Sequence, residues 1–234
     1  MATEPVPEHQ LDDPTMPVMG YGQSKHTGSL ILDAAAQQSG IPAASTRVGQ
    51  IAGPRSSEGA WNRQEFIPSL IASSVYLGAL PDHIGPSQVV DWIPIEDVAE
   101  LILEISGVTV EVPAAEISGY FHAVNPVTVQ WSELTDAVRS YCSDKIQQII
   151  PLEDWISKLE ESALDTTNID KNPSVKLLDT YRGMLAANQA RLEHVTFSME
   201  RTKTRSPTVE RLSRNNQELA EPGANKNEEG VFGI

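Results

Sequence analysis

The sequence predicts an α/β protein, part of a parallel, doubly wound sheet followed by a largely helical region. Three observations carry the prediction. Residues 24–39 read as a helix stopped by Gly40 and Pro42, and residues 43–48 follow as a strand turned by Gly49-Gln50. Strand-like and helix-like runs alternate again at 89–93 with 94–105, and at 119–125 with a helix after Ser132. Beyond Pro151 the remaining periodic segments, 151–162 and 174–187, are helical.

Each element has its own signals. Residues 1–18 hold four prolines and four acids without periodicity, so loop or disorder is expected there. Leu30, Ile31, Ala34 and Ala35 form the apolar stripe of the first helix. A second helix covers 66–77 and ends near Gly78. Pro94 opens the third, with Glu96 and Asp97 where the helix dipole favours acids. Val129-Gln130-Trp131 leads into Ser132, the expected cap of a helix reaching about Cys142. Asn172-Pro173 breaks the last two helices apart. Residues 213–234 are rich in Asn, Glu and Gly, and a disordered tail is expected from about 208. No internal repeat or heptad run is present.

Composition narrows the function. With 234 residues and 40% hydrophobic side chains, the chain is long enough for a folded core, and it contains no run of 18 apolar residues. Its N-terminus has neither a basic n-region nor an apolar h-region, and its one cysteine, Cys142, excludes an internal disulfide and a cysteine-cluster metal site. A soluble protein of the reducing cytoplasm is expected. The net charge of -15 argues against nucleic acid or an anionic membrane as partner. Residues 91–170 carry 16 acids against 3 bases, while Arg201, Lys203, Arg205, Arg211 and Arg214 follow close together. The expected arrangement is a solvated acidic face with a basic segment packed on it.

The chemistry centres on Tyr21-Gly22-Gln23-Ser24-Lys25. On a helix, this spacing stacks a phenol and an amine on one face. An ammonium beside a phenol favours the phenolate, and such a pair can exchange a proton with a substrate oxygen. His26 adjoins the pair but has no second ligand nearby in sequence, so no metal site is expected. Cys142 has no local base and reads as a small core residue.

Met19-Gly20-Tyr21-Gly22-Gln23-Ser24-Lys25-His26 is followed by Arg47-Val48-Gly49-Gln50-Ile51-Ala52-Gly53-Pro54. Trp61-Asn62-Arg63-Gln64-Glu65 and Val90-Asp91-Trp92-Ile93-Pro94-Ile95-Glu96-Asp97 come next. In that order, from about residue 5 to 207, these motifs resemble the C-terminal half of a thioester reductase domain. The type is the extended short-chain dehydrogenase/reductase, found at the end of non-ribosomal peptide synthetase-like enzymes, carboxylic acid reductases and aminoadipate reductases.

The resemblance implies a partial Rossmann-like fold lacking its N-terminal nucleotide-binding strands. Residues 19–60 would form the C-terminal part of the cofactor domain, and 61–207 a mostly helical substrate subdomain with returning α/β elements. It implies NADPH-dependent reductive release of an acyl thioester from a phosphopantetheine carrier domain, as aldehyde or alcohol. Tyr21 would be the general acid, Lys25 would hold the nicotinamide ribose, and Val48, Gly49, Gln50 and Ile51 would lie against the nicotinamide. Residues 61–65, with Asp91 and Trp92, read either as channel wall or as ordinary core.

Neither G-x-x-G-x-x-G nor G-x-G-x-x-G occurs, and only Thr3 and Thr15 precede Tyr21 as hydroxyl candidates for the carbonyl oxygen. A separate N-terminal reductase half is therefore a further expected partner. A non-catalytic carrier-binding module and an inactive fragment stay open as alternatives.

Overall fold

Gly40 adopts the left-handed conformation, φ 63°, that ends the first helix and turns the chain back along it. The fold is seen in a computed structural model describing residues 4–17, 19–56, 59–165, 167, 169–192 and 194–212. Helix α1 spans Gly20–Ser39 and strand β1 spans Ala44–Val48, so the two run antiparallel. The helix starts four residues before the expected 24. Met19 is extended, and its carbonyl accepts the Gln23 N–H at 2.9 Å.

The next elements are β2 at Ile51–Ala52, α2 at Phe66–Leu77, β3 at Ala79–Pro81 and β4 at Val89–Val90. After them come β5 at Ile93–Pro94, α3 at Ile95–Ile105, a single turn α4 at Ala114–Ile117, and β6 at Gly119–Ala123. The chain continues through β7 at Val129–Gln130, α5 at Trp131–Tyr141, β8 at Gln148–Ile150, α6 at Leu152–Ser162, α7 at Leu178–Gln189 and α8 at Glu200–Arg205. This is the expected α/β class.

β1 and β6 pair in parallel, in register from Ala44–Gly119 to Val48–Ala123. β2 pairs in parallel with β5, and β3 with β8, while β4 and β7 are antiparallel. The single strand expected over 89–93 is thus two short strands. Asp91 and Trp92 interrupt it, and the pieces on either side join different partners. β6 also stops before the expected 125, where Asn125 turns the chain: its N–H donates to Asp91 O at 2.8 Å and its Oδ1 accepts from Val127 at 3.1 Å.

Two cores result. In one, Val98, Leu101 and Ile105 of α3 meet Phe121, Ala123 and Val124 of β6 and its end, together with Met199, Val209 and Leu212. In the other, Ile67, Leu70 and Ile71 of α2 pack with Trp131, Trp155 and Tyr181. The Trp131 and Trp155 indoles donate to the Pro81 and Ala79 carbonyls at 2.9 and 3.0 Å, fastening α5 and α6 to β3. The cap of α5 is Gln130 rather than Ser132, and the Glu133 carboxylate returns to the Gln130 N–H at 2.8 Å. The last expected helix, 174–187, divides into a 3₁₀ turn at Pro173–Leu177 and α7.

The ends of the described chain meet. Val6 bridges Phe197, and the Glu8 carboxylate accepts the Arg201 and Thr202 N–H groups at 2.6 and 2.8 Å. Residues 4–10 are irregular, as expected, yet pinned. Residues 207–212, where a disordered tail was expected to begin, are instead a helical turn with Val209 fully buried and Leu212 nearly so. Residues 213–234 lie outside the described residues. Arg205 pairs with Glu116, and Arg211 with Glu100 at 2.8 Å. The basic segment thus lies on the acidic face.

Candidate functional site

Ligands of open parallel sheets bind beyond the carboxyl ends of the strands. In the β1/β6 ladder that end is Val48 with Ala123, and Gly49 beyond it donates its N–H to Ala123 O at 3.0 Å. The Tyr120 hydroxyl donates to Ser29 O at 3.4 Å and so aligns the middle of α1 with the Ser45–Tyr120 pair. From Ser29 back to Tyr21 the helix rises about 12 Å. From Ser45 forward to Gly49 the strand advances about 13 Å. Tyr21 therefore stands about level with Gly49, and Lys25, one turn nearer Ser29, about level with Arg47.

Tyr21 is 73% exposed, and the Lys25 ammonium lies 5.1 Å from its ring centroid. The amine covers the ring face, one helical turn from the phenol. Val48 is 41% exposed at the end of β1. Gly49 owes its identity to packing, since a Cβ there would come within 2.7 Å of Val124 Cγ1. Gln50 O accepts the Ile93 N–H at 3.2 Å, and Ile51 belongs to the β2/β5 pair. Of the four loop residues, Val48 offers its side chain outward, while Gly49, Gln50 and Ile51 tie the loop to β6 and β5.

Asp91 and Asn125 share this end of the sheet, because Asn125 N bonds Asp91 O and Asn125 Nδ2 bonds Trp92 O at 3.2 Å. His194 Nε2 lies 3.8 Å from the Asp91 carboxylate, and its Nδ1 lies 3.4 Å from Pro86 O. Burial raises the Asp91 carboxyl above its ordinary range, with the neighbouring His194 opposing that rise. Asp91 stood out in the sequence. His194 and Asn125 did not, since no local motif links them to it.

The remaining candidates have structural places. Trp61 is buried, with its indole donating to Glu65 Oε2 at 3.0 Å. The Asn62 side chain accepts the Gln64 N–H at 3.0 Å ahead of α2. Trp92 packs on Trp131 with 6.3 Å between ring centroids. Burial raises the Cys142 thiol. The His26 ring has a buried Nε2 without a partner among the described residues, and no group of three His, Cys, Asp or Glu there could hold a metal ion. No described helix is long and apolar enough to cross a membrane.

A parallel ladder preceded by a helix that bears Tyr-x-x-x-Lys is the arrangement that the resemblance in the sequence implied. Residues 2–102 match the NAD-binding family model described as Male sterility protein. A carboxylic acid reductase of Neurospora crassa is 48% identical over 207 residues, covering 88% of this chain and 20% of that protein. An adenylate-forming reductase of Heterobasidion annosum is 33% identical, covering 76% of the chain and 15% of that protein.

Among solved structures, the terminal R domain of the myxalamid PKS-NRPS pathway superposes with a TM-score of 0.64 at 18% identity. That match covers 95% of this chain and 56% of that one. The reductase domain of a Mycobacterium tuberculosis non-ribosomal peptide synthetase gives 0.55 at 20% identity, covering 86% and 51%. The chain thus spans a fifth or less of these curated relatives and about half of the solved domains.

Proposed function

We propose that this chain contributes the proton-donating and substrate-side portion of an NADPH-dependent reductase. The enzyme would release a carrier-bound acyl thioester as aldehyde or alcohol. The observation that carries the reading is the Tyr21–Lys25 pair, presented in the open on the helix that precedes β1. An accessible phenol with an ammonium over its ring suits the nicotinamide end of the cofactor, and Val48 is exposed at the end of β1. The sequence holds no Gly-rich turn for the pyrophosphate. A Gly-rich β-α-β half, outside this sequence, would supply those contacts.

When bound, the cofactor would supply hydride to the thioester carbonyl carbon; breaking of the C–S bond, with the pantetheine sulfur leaving as the thiol, gives the aldehyde, and a second hydride from a second cofactor molecule gives the alcohol. Tyr21 Oη donates a proton to the carbonyl oxygen as charge builds there. Lys25 holds the ribose hydroxyls and keeps positive charge beside the phenol after the proton leaves. Covering Tyr21 is the task of the partner half, because a water-filled site weakens both contributions.

The test is Tyr21→Phe in the chain joined to, or co-expressed with, its Gly-rich half. NADPH oxidation with an acyl-pantetheine thioester should fall by about 100-fold or more. The unfolding temperature should stay unchanged, because the hydroxyl is exposed. Undiminished turnover in Tyr21→Phe overturns the assignment. The same exposure also supports a second reading, a carrier-binding module without chemistry. That reading requires carrier binding by a complex in which NADPH causes no fluorescence change.

A further inference from the structure

The described chain passes between its two cores at four places. Ile51 packs in the α3–β6 core and Ala52 in the α2–α5–α6–α7 core, and Trp92 and Ile93 divide between them in the reverse order. The other passages run from Val124 to Val129 and from Leu185 to Phe197. All four meet at the second. Ile93 N–H donates to Gln50 O at 3.2 Å, which joins the first passage to it. Asn125 joins the third, donating from its backbone to Asp91 O at 2.8 Å and from Nδ2 to Trp92 O at 3.2 Å. Hydrogen bonds to backbone carbonyls thus fasten three of the passages to one another.

The fourth passage is held differently. It leaves α7 through Arg191 in the left-handed conformation, φ 53°, which a residue other than glycine keeps only where its surroundings impose it. Leu192 and Val195 are 61% and 54% exposed, and His194 is the one partly buried residue among the described residues of 191–196. Its ring reaches the second passage by two long contacts, Nε2 at 3.8 Å from the Asp91 carboxylate and Nδ1 at 3.4 Å from Pro86 O. The first of these is an ion-pair distance and not a hydrogen bond. A strained turn, exposed neighbours and long contacts put this passage at the low-stability end of the fold, where local opening begins.

We propose that Asp91 and His194 form a latch between the two cores. Closed, it holds the helical core at a fixed distance from the α3–β6 core. Open, it frees the fourth passage and lets the helical core turn about the other three. Losing one long contact leaves the hydrogen bonds of those three intact, so the motion is a hinge that unfolds neither core. The latch belongs to this chain by itself and acts whether or not the chain reduces a thioester.

Spin labels at Ala99→Cys on α3 and Lys158→Cys on α6, both exposed positions, report the separation of the cores in the full chain, and the buried Cys142 stays unlabelled. The closed latch should give one narrow distance distribution. Asp91→Asn and His194→Gln should each broaden it about twofold and should quicken exchange of the Ser198 N–H, which donates to Val6 O, about fivefold. The double variant should go no further than either single one, because both substitutions remove the same contact. Thermal unfolding of each variant verifies that the cores stay folded. A distribution or an exchange rate unchanged in the folded variants, or effects of the two substitutions that add, overturns the latch. Neither readout involves a cofactor or a thioester, so a failed latch and a failed reductase reading are told apart.

Discussion

His122 is fully buried in β6, and both of its ring nitrogens are engaged. Nδ1 donates to Ser198 O at 2.7 Å, and Nε2 accepts from Arg47 at 3.1 Å. Arg47 in turn donates to the Pro7 and His9 carbonyls and stacks on Tyr120. The arrangement requires a neutral imidazole, and its pKa is lowered chiefly by burial. The Ser198 bond and Glu8 oppose the shift, and Arg47 adds to it. A histidine with a depressed folded pKa contributes stability above its unfolded value of about 6.5 and loses it as pH falls toward the folded value. Urea unfolding should therefore show stability dropping between pH 7.5 and 5.5, with a smaller drop in His122→Gln. Equal pH slopes in the two proteins would refute this role.

At this scale the sequence was most informative where chemistry is local. Tyr21 and Lys25 are one helical turn apart, so their shared face follows from helix geometry. The Asp91–His194 approach depends on two segments that only tertiary folding joins. Gly49 shows the opposite limit. Its lack of a side chain is visible in the sequence, but the reason, Val124, comes from the neighbouring strand end.

Elements with their own start and stop signals were legible, and α2 falls at the expected 66–77. Short strands were not, because β4 and β5 are defined by the partners they meet. The helical turn at 207–212 was missed for a related reason. Its periodicity is too short to register, and what holds it is the buried carboxylate of Glu104 on α3. That carboxylate accepts from Ser206 Oγ and from Thr208 Oγ1 at 2.9 Å. Hydrogen bonds to a charged acceptor contribute about 1.5–3 kcal/mol each, and a buried donor left unpaired costs about 1–3 kcal/mol. Glu104→Ala should lower the unfolding free energy by about 3–6 kcal/mol by that reckoning. It should also make residues 206–212 exchange amide hydrogen faster. A loss below about 0.5 kcal/mol, the range of a neutral surface change, would mean that Val209 and Leu212 dock the turn unaided.

Across the whole molecule, the two cores differ in how completely they are covered. The α2–α5–α6–α7 core buries both tryptophans and Tyr181 fully, whereas α1 buries no residue at all. Ile31 is 64% exposed, Leu32 is 44% exposed, and β1 has a ladder partner on one edge only among the described residues. The sequence marked Ile31 as part of a core-facing stripe, and its exposure has a physical reason: the described sheet offers α1 one short strand pair to cover. An uncovered parallel strand edge beside an apolar helix face is a pairing surface. If the proposed Gly-rich half occupies it, the isolated chain should self-associate with rising concentration in sedimentation velocity. Adding that half should replace the self-associated species by a one-to-one complex and slow amide exchange in β1. Ile31→Glu/Leu32→Glu should weaken the complex about tenfold or more while leaving the Trp131–Trp155–Tyr181 core intact by near-ultraviolet circular dichroism. A chain that stays monomeric at every concentration, and whose β1 amides exchange equally fast with and without the second half, would show that this surface has no such partner.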